Sequence, residues 1–273
     1  LSIGGRQAPN RRLLCFPMMY RNWSKWIWAA LGISLFAAAW QTVHVVSGPF
    51  VLPSIGDTFL ALQRITLSGE VTPAVISTGQ QALAGWLVAA VVGCGLGVIA
   101  GFVRPIGDAL SPLATMILGT PAIVWVVLAL LWYGPGSIEP AFAVVMSAFP
   151  IVFAASQQGL RSRDYNLDEM ARVFSVSRSL HTTDVLLPQL WGHALPALAT
   201  ALAYSWKVAI MAEVLGGGTG IGGRLETARA NLDLPETMAW IIVILALILI
   251  SDGFLLLPLR RRLNTRFGRA QTI

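Results

Sequence analysis

Lysine is scarce in this sequence, and its two positions bear directly on phosphate chemistry. A phosphate-binding P-loop needs a lysine between a glycine and a serine or threonine, because that lysine neutralises the phosphates. Lys25 follows Ser24 and Lys207 follows Trp206, so neither lies in such a context. The sequence therefore excludes ATP hydrolysis by a P-loop of this chain.

A second phosphate-type pattern is GTGIGG at 218–223, which has the spacing G-x-G-x-x-G. A dinucleotide fingerprint requires a strand before the glycines, within a βαβ unit. Here a long apolar helix is expected to precede them. The pattern thus favours a tight turn on the outer side of a membrane over a nucleotide site.

Residues that could hold a metal or act as nucleophiles are dispersed. His44, His181 and His193 fall on different segments without ligand spacing, and no Ser-His-Asp set or carboxylate pair is evident. Cys15 and Cys94 do not suggest a disulfide framework. We predict no catalytic residue, no metal site and no cofactor held by this chain.

Three ionisable residues fall within or at the end of predicted spans: Lys207, Glu213 and Asp252. Such groups are costly in hydrocarbon and are functional candidates by default. One hypothesis is that Lys207 borders a pathway for an anionic or polar solute; the other ties it to a neighbouring helix or lets it snorkel outward. The predicted pathway residues are Pro121, Trp125, Trp206, Lys207 and Glu213.

The elements that position these residues are apolar helices. The 273 residues are 55% hydrophobic and 12% charged, against about 25% charged in soluble domains. Runs of about 20 apolar residues match a bilayer. We predict an all-α membrane protein with six membrane-spanning helices. Their expected ranges are 26–46, 81–102, 110–133, 140–158, 191–214 and 238–258. A short interfacial helix is expected from DTFLALQRI, between the first two spans.

The distribution of basic residues predicts the orientation. If both termini are cytoplasmic, fifteen of the 19 Lys and Arg residues lie on the cytoplasmic side, as the positive-inside rule requires. The exceptions are Arg64, Arg224 and Arg229 outside and Lys207 in a span. This distribution explains the net charge of +6 without a nucleic-acid partner.

Two features of the spans predict how they pack. The second span carries small residues at every fourth position, which lets another helix come close: Gly85, Ala89, Gly93, Gly97 and Gly101. Pro112 and Pro121 are expected to kink the third span or open its hydrogen bonds. A purely structural kink and a role at the pathway are equally compatible with these prolines.

The stretch from Arg161 to Pro188 is a polar island between two apolar spans, and the charge distribution places it in the cytoplasm. It is predicted to form two short helices, at 167–174 and 178–186. Leu167, Met170, Ala171 and Phe174 recur at helical spacing and give one apolar stripe. The island either docks a soluble partner in helix-in-groove fashion or packs under its own bundle.

The sequence EMARVFSVSR followed by VLLP resembles the EAA loop of type I permeases from binding-protein-dependent ABC importers. Glu169, Ala171, Val185, Leu187 and Pro188 match that pattern. Two positions depart: Met170 replaces an alanine and Ser175 replaces a glycine. If that glycine position has a positive φ, serine costs roughly 1–2 kcal/mol there.

The resemblance extends over about residues 47–265 and is closest to the nitrate/sulfonate/taurine-type subfamily. It rests on PSIGDTFLAL, the glycine-rich second span, TPAIVWVVLALLWYGPG, AFPIVFAASQQGL and AEVLGGGTGIG. The implied protein is a multi-pass permease of the bacterial inner membrane that forms the pathway for a small solute, with sulfonate, nitrate or taurine favoured. The implied partners are two ATPase subunits that bind ATP and Mg²⁺, an extracytoplasmic binding protein and a second permease copy, as in a homodimer.

The resemblance also implies which residues couple the permease to the ATPase subunits: Glu169, Ala171, Arg172, Ser175, Val176, Ser177, Arg178, Leu187 and Pro188. The expected organisation is a cytoplasmic segment at 1–25, a transmembrane domain at 26–260 containing the coupling loop at 160–190, and a basic tail at 261–273. Residues 1–17 are expected either to be disordered or to precede the true start at Met18 or Met19.

Two rival functions stay open at this stage. An ion-coupled secondary transporter would more often show a deep acidic residue and inverted repeats; Asp252 is the only deep carboxylate, and no repeat is evident. An intramembrane enzyme would need nucleophile or metal pairs, which the sequence lacks.

Overall fold

The structure of the protein is a computed structural model that describes residues 20–163, 165–251 and 253. All regular structure in these residues is helical, as predicted. The helices are α1 (Tyr20–Ser47), α2 (Ile55–Leu67), α3 (Val71–Phe102), α4 (Arg104–Gly119), α5 (Ala122–Tyr133), α6 (Ile138–Arg161), α7 (Tyr165–Val173), α8 (Arg178–His181), α9 (Leu187–Gly216), α10 (Ile221–Ala230) and α11 (Leu234–Ser251). The predicted N-terminal segment 1–17, Asp252 and the tail 261–273 lie outside the described residues.

The chain divides into two compact units at Phe59 and Leu60. Within the first unit, the Trp40 indole donates to the Pro53 carbonyl at 2.9 Å, and a His44 ring nitrogen lies 2.7 Å from the Leu52 carbonyl. These contacts fold the segment after α1 back onto that helix. The short helix predicted from DTFLALQRI is present as α2, and its interfacial position stays a prediction.

Five helical runs of the described chain have the length and apolarity to cross a membrane, and a sixth span results if the bent pair α4–α5 is taken together. This agrees with the six predicted spans. The second span is longer than predicted, because α3 already begins at Val71.

The packing of α3 against α6 forms the centre of the second unit, and it depends on the predicted stripe of small residues. A Cβ added at Gly85 would lie 2.6 Å from the Ala141 carbonyl, and one at Gly97 would lie 2.6 Å from the Phe153 carbonyl. Glycine therefore lets the two backbones meet at these points, as in other close membrane-helix contacts. Ala89 between them is fully buried.

The third predicted span is not one straight helix. α4 and α5 meet at an angle of 93°, and Pro121 lies at the break. Proline lacks an N–H and disfavours helical geometry in the preceding residue, and Thr120 is accordingly extended with φ −79° and ψ 126°. α4 continues through Pro112, so the break falls at only one of the two predicted prolines.

The predicted second short helix at 178–186 is not separate from the following span. α8 continues through a π-helical segment, Thr182–Leu186, directly into α9. Pro188 explains the π segment, because a proline ring clashes with the carbonyl four residues earlier, here that of Asp184. The proline widens the helix at this point instead of ending it.

Candidate docking surface and pathway residues

The polar island folds into α7, a tight turn and α8, and Ser175 sets the turn. Its φ is +49°. The Ser175 N–H donates to the Arg172 carbonyl at 3.0 Å, and the Val176 N–H donates to the Ala171 carbonyl at 2.9 Å. This is the Schellman pattern that ends a helix with a left-handed residue, a position that favours glycine. Ser175 therefore has the positive φ at which serine is expected to cost more than glycine.

This geometry gives a prediction for Ser175→Gly. Glycine adopts a positive φ without the steric penalty of a side chain, so the variant should be more stable by about 1 kcal/mol.

Ser177→Ala should instead lower the stability of the protein, because Ser177 lies at the N-cap of α8 and its Oγ accepts the Leu180 N–H at 3.4 Å. Thermal unfolding of the purified variants measures both; destabilisation by Ser175→Gly would contradict the assignment.

Asp168 connects α7 to its surroundings through a buried network. Its side chain is buried, with one oxygen 3.2 Å from Arg163 Nε and the other 2.9 Å from His181 Nε2. The Arg163 guanidinium also lies over the rings of Phe102 and Tyr165. Because His181 ends α8 and Phe102 ends α3, Asp168 fixes the position of both short helices against the bundle.

The apolar stripe of α7 does not pack under the bundle. Ala171 is buried, but Met170, Val173 and Phe174 are 55%, 79% and 74% exposed, and Leu180 of α8 is 50% exposed. We call these four exposed residues the loop surface. Exposed apolar side chains on a short helix and the turn after it are typical of a surface that can bind another protein.

The predicted coupling residues lie on the same segment as the loop surface but include none of its four residues. Glu169 and Arg172 are exposed on α7, Val176 is half-buried in the turn, and Leu187 and Pro188 are exposed at the start of α9. Arg178 begins α8, and its side chain is not described. The contribution of each of these residues to coupling stays a prediction.

The predicted pathway residues do not form one site. Trp125 and Trp206 pack against one buried cluster that includes Val126 and Val208, whereas Lys207 is exposed. Neither buried indole N–H has a partner among the described residues. Pro121 forms the bend before α5, and Glu213 is 1% exposed. The pathway role of all five residues stays a prediction.

Glu213 organises the glycine-rich turn. Its Oε2 accepts the Thr78 hydroxyl at 2.8 Å and the Gly222 N–H at 3.0 Å, and Thr78 Oγ1 accepts the Ile221 N–H at 2.9 Å. The first N–H groups of α10 are thereby satisfied, as a helix start requires. A helix precedes these glycines, so the dinucleotide interpretation fails. The predicted tight turn is present between α9 and α10, and its place on the outer side of the membrane stays a prediction.

A cavity of about 450 Å³ lies beside this turn and is lined by uncharged polar groups. Ser77 and Thr219 line it, and their hydroxyls are hydrogen-bonded to each other at 3.0 Å. Gln80, Gln81 and Ser137 complete its polar lining. Such groups can hydrogen-bond a small polar solute without holding it by charge.

Sequence reasoning missed Asp168, His181, Thr78 and Glu139. Asp168 and His181 are separated by 13 residues on two helices, and only the turn at Ser175 brings them together. The signal available for Glu139 was its place at the start of an apolar run. None of these residues belongs to a recognisable motif.

The apolar helices, the bent pair α4–α5 and the exposed loop surface together indicate a membrane protein of the permease class. Residues 93–269 match the family of binding-protein-dependent transport system inner membrane components, and this chain belongs to that family. It is therefore an ABC importer permease and a multi-pass protein of the cytoplasmic membrane. The match supports the importer interpretation and not the ion-coupled alternative.

Individual relatives agree with this assignment. The chain is 27% identical over 244 residues to the putative aliphatic sulfonates transport permease protein SsuC of Bacillus subtilis (strain 168), covering 88% of each chain. It is 27% identical over 143 residues to the nitrate import permease protein NrtB of Leptolyngbya laminosa, covering 52% of this chain and 51% of that one. A crystal structure of an amino acid ABC transporter with histidines gives a TM-score of 0.59 at 19% identity, covering 73% of this chain and 97% of that one.

Proposed function

We propose that this permease imports a small anion and is driven by separate ATPase subunits that dock on the loop surface. The observation that carries the proposal is the set of exposed apolar side chains held in place by the Asp168 network. The sequence lacks a P-loop lysine, which supports an ATP site on separate subunits. ATP and Mg²⁺ would be bound by the partner subunits.

The proposed assembly contains two copies of this chain and two ATPase subunits, with an extracytoplasmic binding protein that delivers the solute. In it the loop at 160–190 and both termini face the cytoplasm, as the basic residues favour. ATP binding would draw the loops together, and access would switch because the two conformations differ in nucleotide affinity. The transmembrane domain would comprise residues 26–260.

Uptake into proteoliposomes tests the mechanism. Solute should accumulate only when the permease, an ATPase subunit, ATP and the loaded binding protein are all present. Accumulation driven by an ion gradient without any ATPase subunit would contradict the proposal.

The substrate class rests on separate support. The relatives above are named for aliphatic sulfonates and nitrate, both oxyanions. Lys207 is an exposed cation on α9, and the cavity near Thr219 offers neutral hydrogen-bonding groups that hold an oxyanion without binding it too tightly. We place the exposed Lys207 at the pathway.

Lys207→Met is expected to raise the KM for the anionic solute about tenfold, because a hydrogen bond to a charged group contributes ~1.5–3 kcal/mol. Lys207→Arg keeps the charge and serves as the matched control. Initial rates of uptake at varied solute concentration measure both. Unchanged uptake and unchanged substrate preference in Lys207→Met would remove this lysine from the pathway.

A further inference from the structure

Glu139 is a buried carboxyl group that the proposed transport function does not use. It is the second residue of α6, its side chain is 0% exposed, and neither of its oxygens has a hydrogen-bond partner among the described residues. An ionised carboxylate without a partner is strongly disfavoured in such a place, because nothing replaces the water it has lost. Something must neutralise it.

A second buried carboxyl group lies one helical turn from the place where Glu139 meets α9. Glu139 Oε2 fills the space in which a side chain of Gly216 would lie, and Gly216 is one helical turn after Glu213 on α9. Glu213 is 1% exposed. Two carboxyl groups that share a buried site disfavour each other's ionisation.

The two groups have unequal surroundings. Glu213 Oε2 accepts two hydrogen bonds, from Thr78 and from Gly222, and it lies at the positive end of α10. No described residue donates to Glu213 Oε1 or to Glu139. The donors therefore favour charge on Glu213, while nothing favours charge on Glu139.

We propose that Glu139 and Glu213 form a proton-binding site, in which Glu139 carries the proton and donates it to Glu213 Oε1. One proton satisfies the orphaned Glu213 oxygen and leaves a single negative charge, which faces the N-terminus of α10. The shared proton joins the start of α6 to the turn between α9 and α10.

The donor set favours a proton over a metal ion. Glu139 and Glu213 supply too few ligands for a cation such as Ca²⁺, which takes about six to eight oxygens. The described residues hold no group of three or more His, Cys, Asp or Glu side chains arranged for a metal. Arg224, the nearest cation in sequence on α10, is paired with Glu70 at 3.2 Å, and both side chains are partly exposed to water.

Infrared difference spectroscopy of the purified chain tests the site. The wild type should show the carbonyl band of a protonated carboxylic acid, and Glu139→Gln should lose it while remaining folded, since the amide N–H can donate to Glu213 in the same way. Glu70→Gln removes a carboxylate paired with arginine and should leave the band unchanged. Glu213→Gln should shift the band, because Glu139 then donates to an amide oxygen.

Thermal unfolding against pH is the second readout. A proton bound in the folded state stabilises it, and this stabilisation is lost as pH rises above the range in which an unfolded glutamate ionises, about 4.3. The wild-type Tm should therefore fall relative to that of Glu139→Gln as pH is raised from about 4. A band that survives in Glu139→Gln, or a wild-type Tm raised by sodium or calcium but not in Glu139→Gln, would overturn the proposal. None of these readouts depends on the ATPase subunits, so they are independent of the transport function.

Discussion

Phe174→Asp should weaken binding of the ATPase subunit by about thirtyfold or more, equivalent to the ~2 kcal/mol lost at an interface hot spot. Phe174 is 74% exposed and adjoins Val173 and Met170 on α7. A charge at the centre of an apolar contact would be buried without a partner on docking. Co-purification of the two subunits and the ATPase rate stimulated by the binding protein both measure the effect.

Leu232→Asp is the matched control for this experiment. Leu232 is 83% exposed and lies between α10 and α11, separated from the loop surface by all of α9. It receives the same charge outside the proposed interface, so binding should be unchanged. Equal loss in both variants would indicate a general defect, and full binding by Phe174→Asp would refute docking on the loop surface.

Gly97→Val should destabilise the bundle itself. The first added carbon would lie 2.6 Å from the Phe153 carbonyl and 2.7 Å from Ser156 Cβ, so α3 and α6 would have to separate. Overpacking of this kind costs about 1–3 kcal/mol and more where backbone is in the way. The yield of monodisperse protein in detergent and the temperature of its thermal aggregation should both fall sharply.

Gly95→Val provides the comparison two residues away on the same helix. No atom lies within 4 Å of a Cβ built at Gly95. The added volume is the same, but it enters open space, so yield and thermal stability should stay near those of the wild type. Similar losses in the two variants would mean that the small residues of α3 do not mediate its contact with α6.

Local sequence information was sufficient for the features that depend on one helix or one turn. The spacing of Gly85 to Gly101 indicated a packing face, which the contacts with α6 confirm. The motif also raised the possibility of a positive φ at Ser175, and Ser175 has one. The sharp bend at Pro121 follows from proline chemistry, although its angle does not. The predicted end of the second short helix at residue 186 was wrong, because a π segment carries the helix on through Pro188.

The features that were missed depend on tertiary contacts. Glu139 is buried because α6 and α9 approach at Gly216, and no pattern around residue 139 encodes that approach. Asp168 gains its role from a histidine on the far side of a turn. Whether Trp125 and Trp206 face a common cluster likewise depends on how α5 and α9 cross.

The unbroken helical run from α8 through α9 has a mechanical consequence. The 30 residues of α9 alone extend for roughly 45 Å at 1.5 Å per residue, with His181 near one end of the run and Glu213 near the other. A helix of this length resists compression, so a tilt of about 10° at the α8 end swings the opposite end through roughly 8 Å. The run would therefore carry a movement at its α8 end to its opposite end. It should bend most easily at Pro188 and Pro196, because proline has no N–H to complete the helical hydrogen bond.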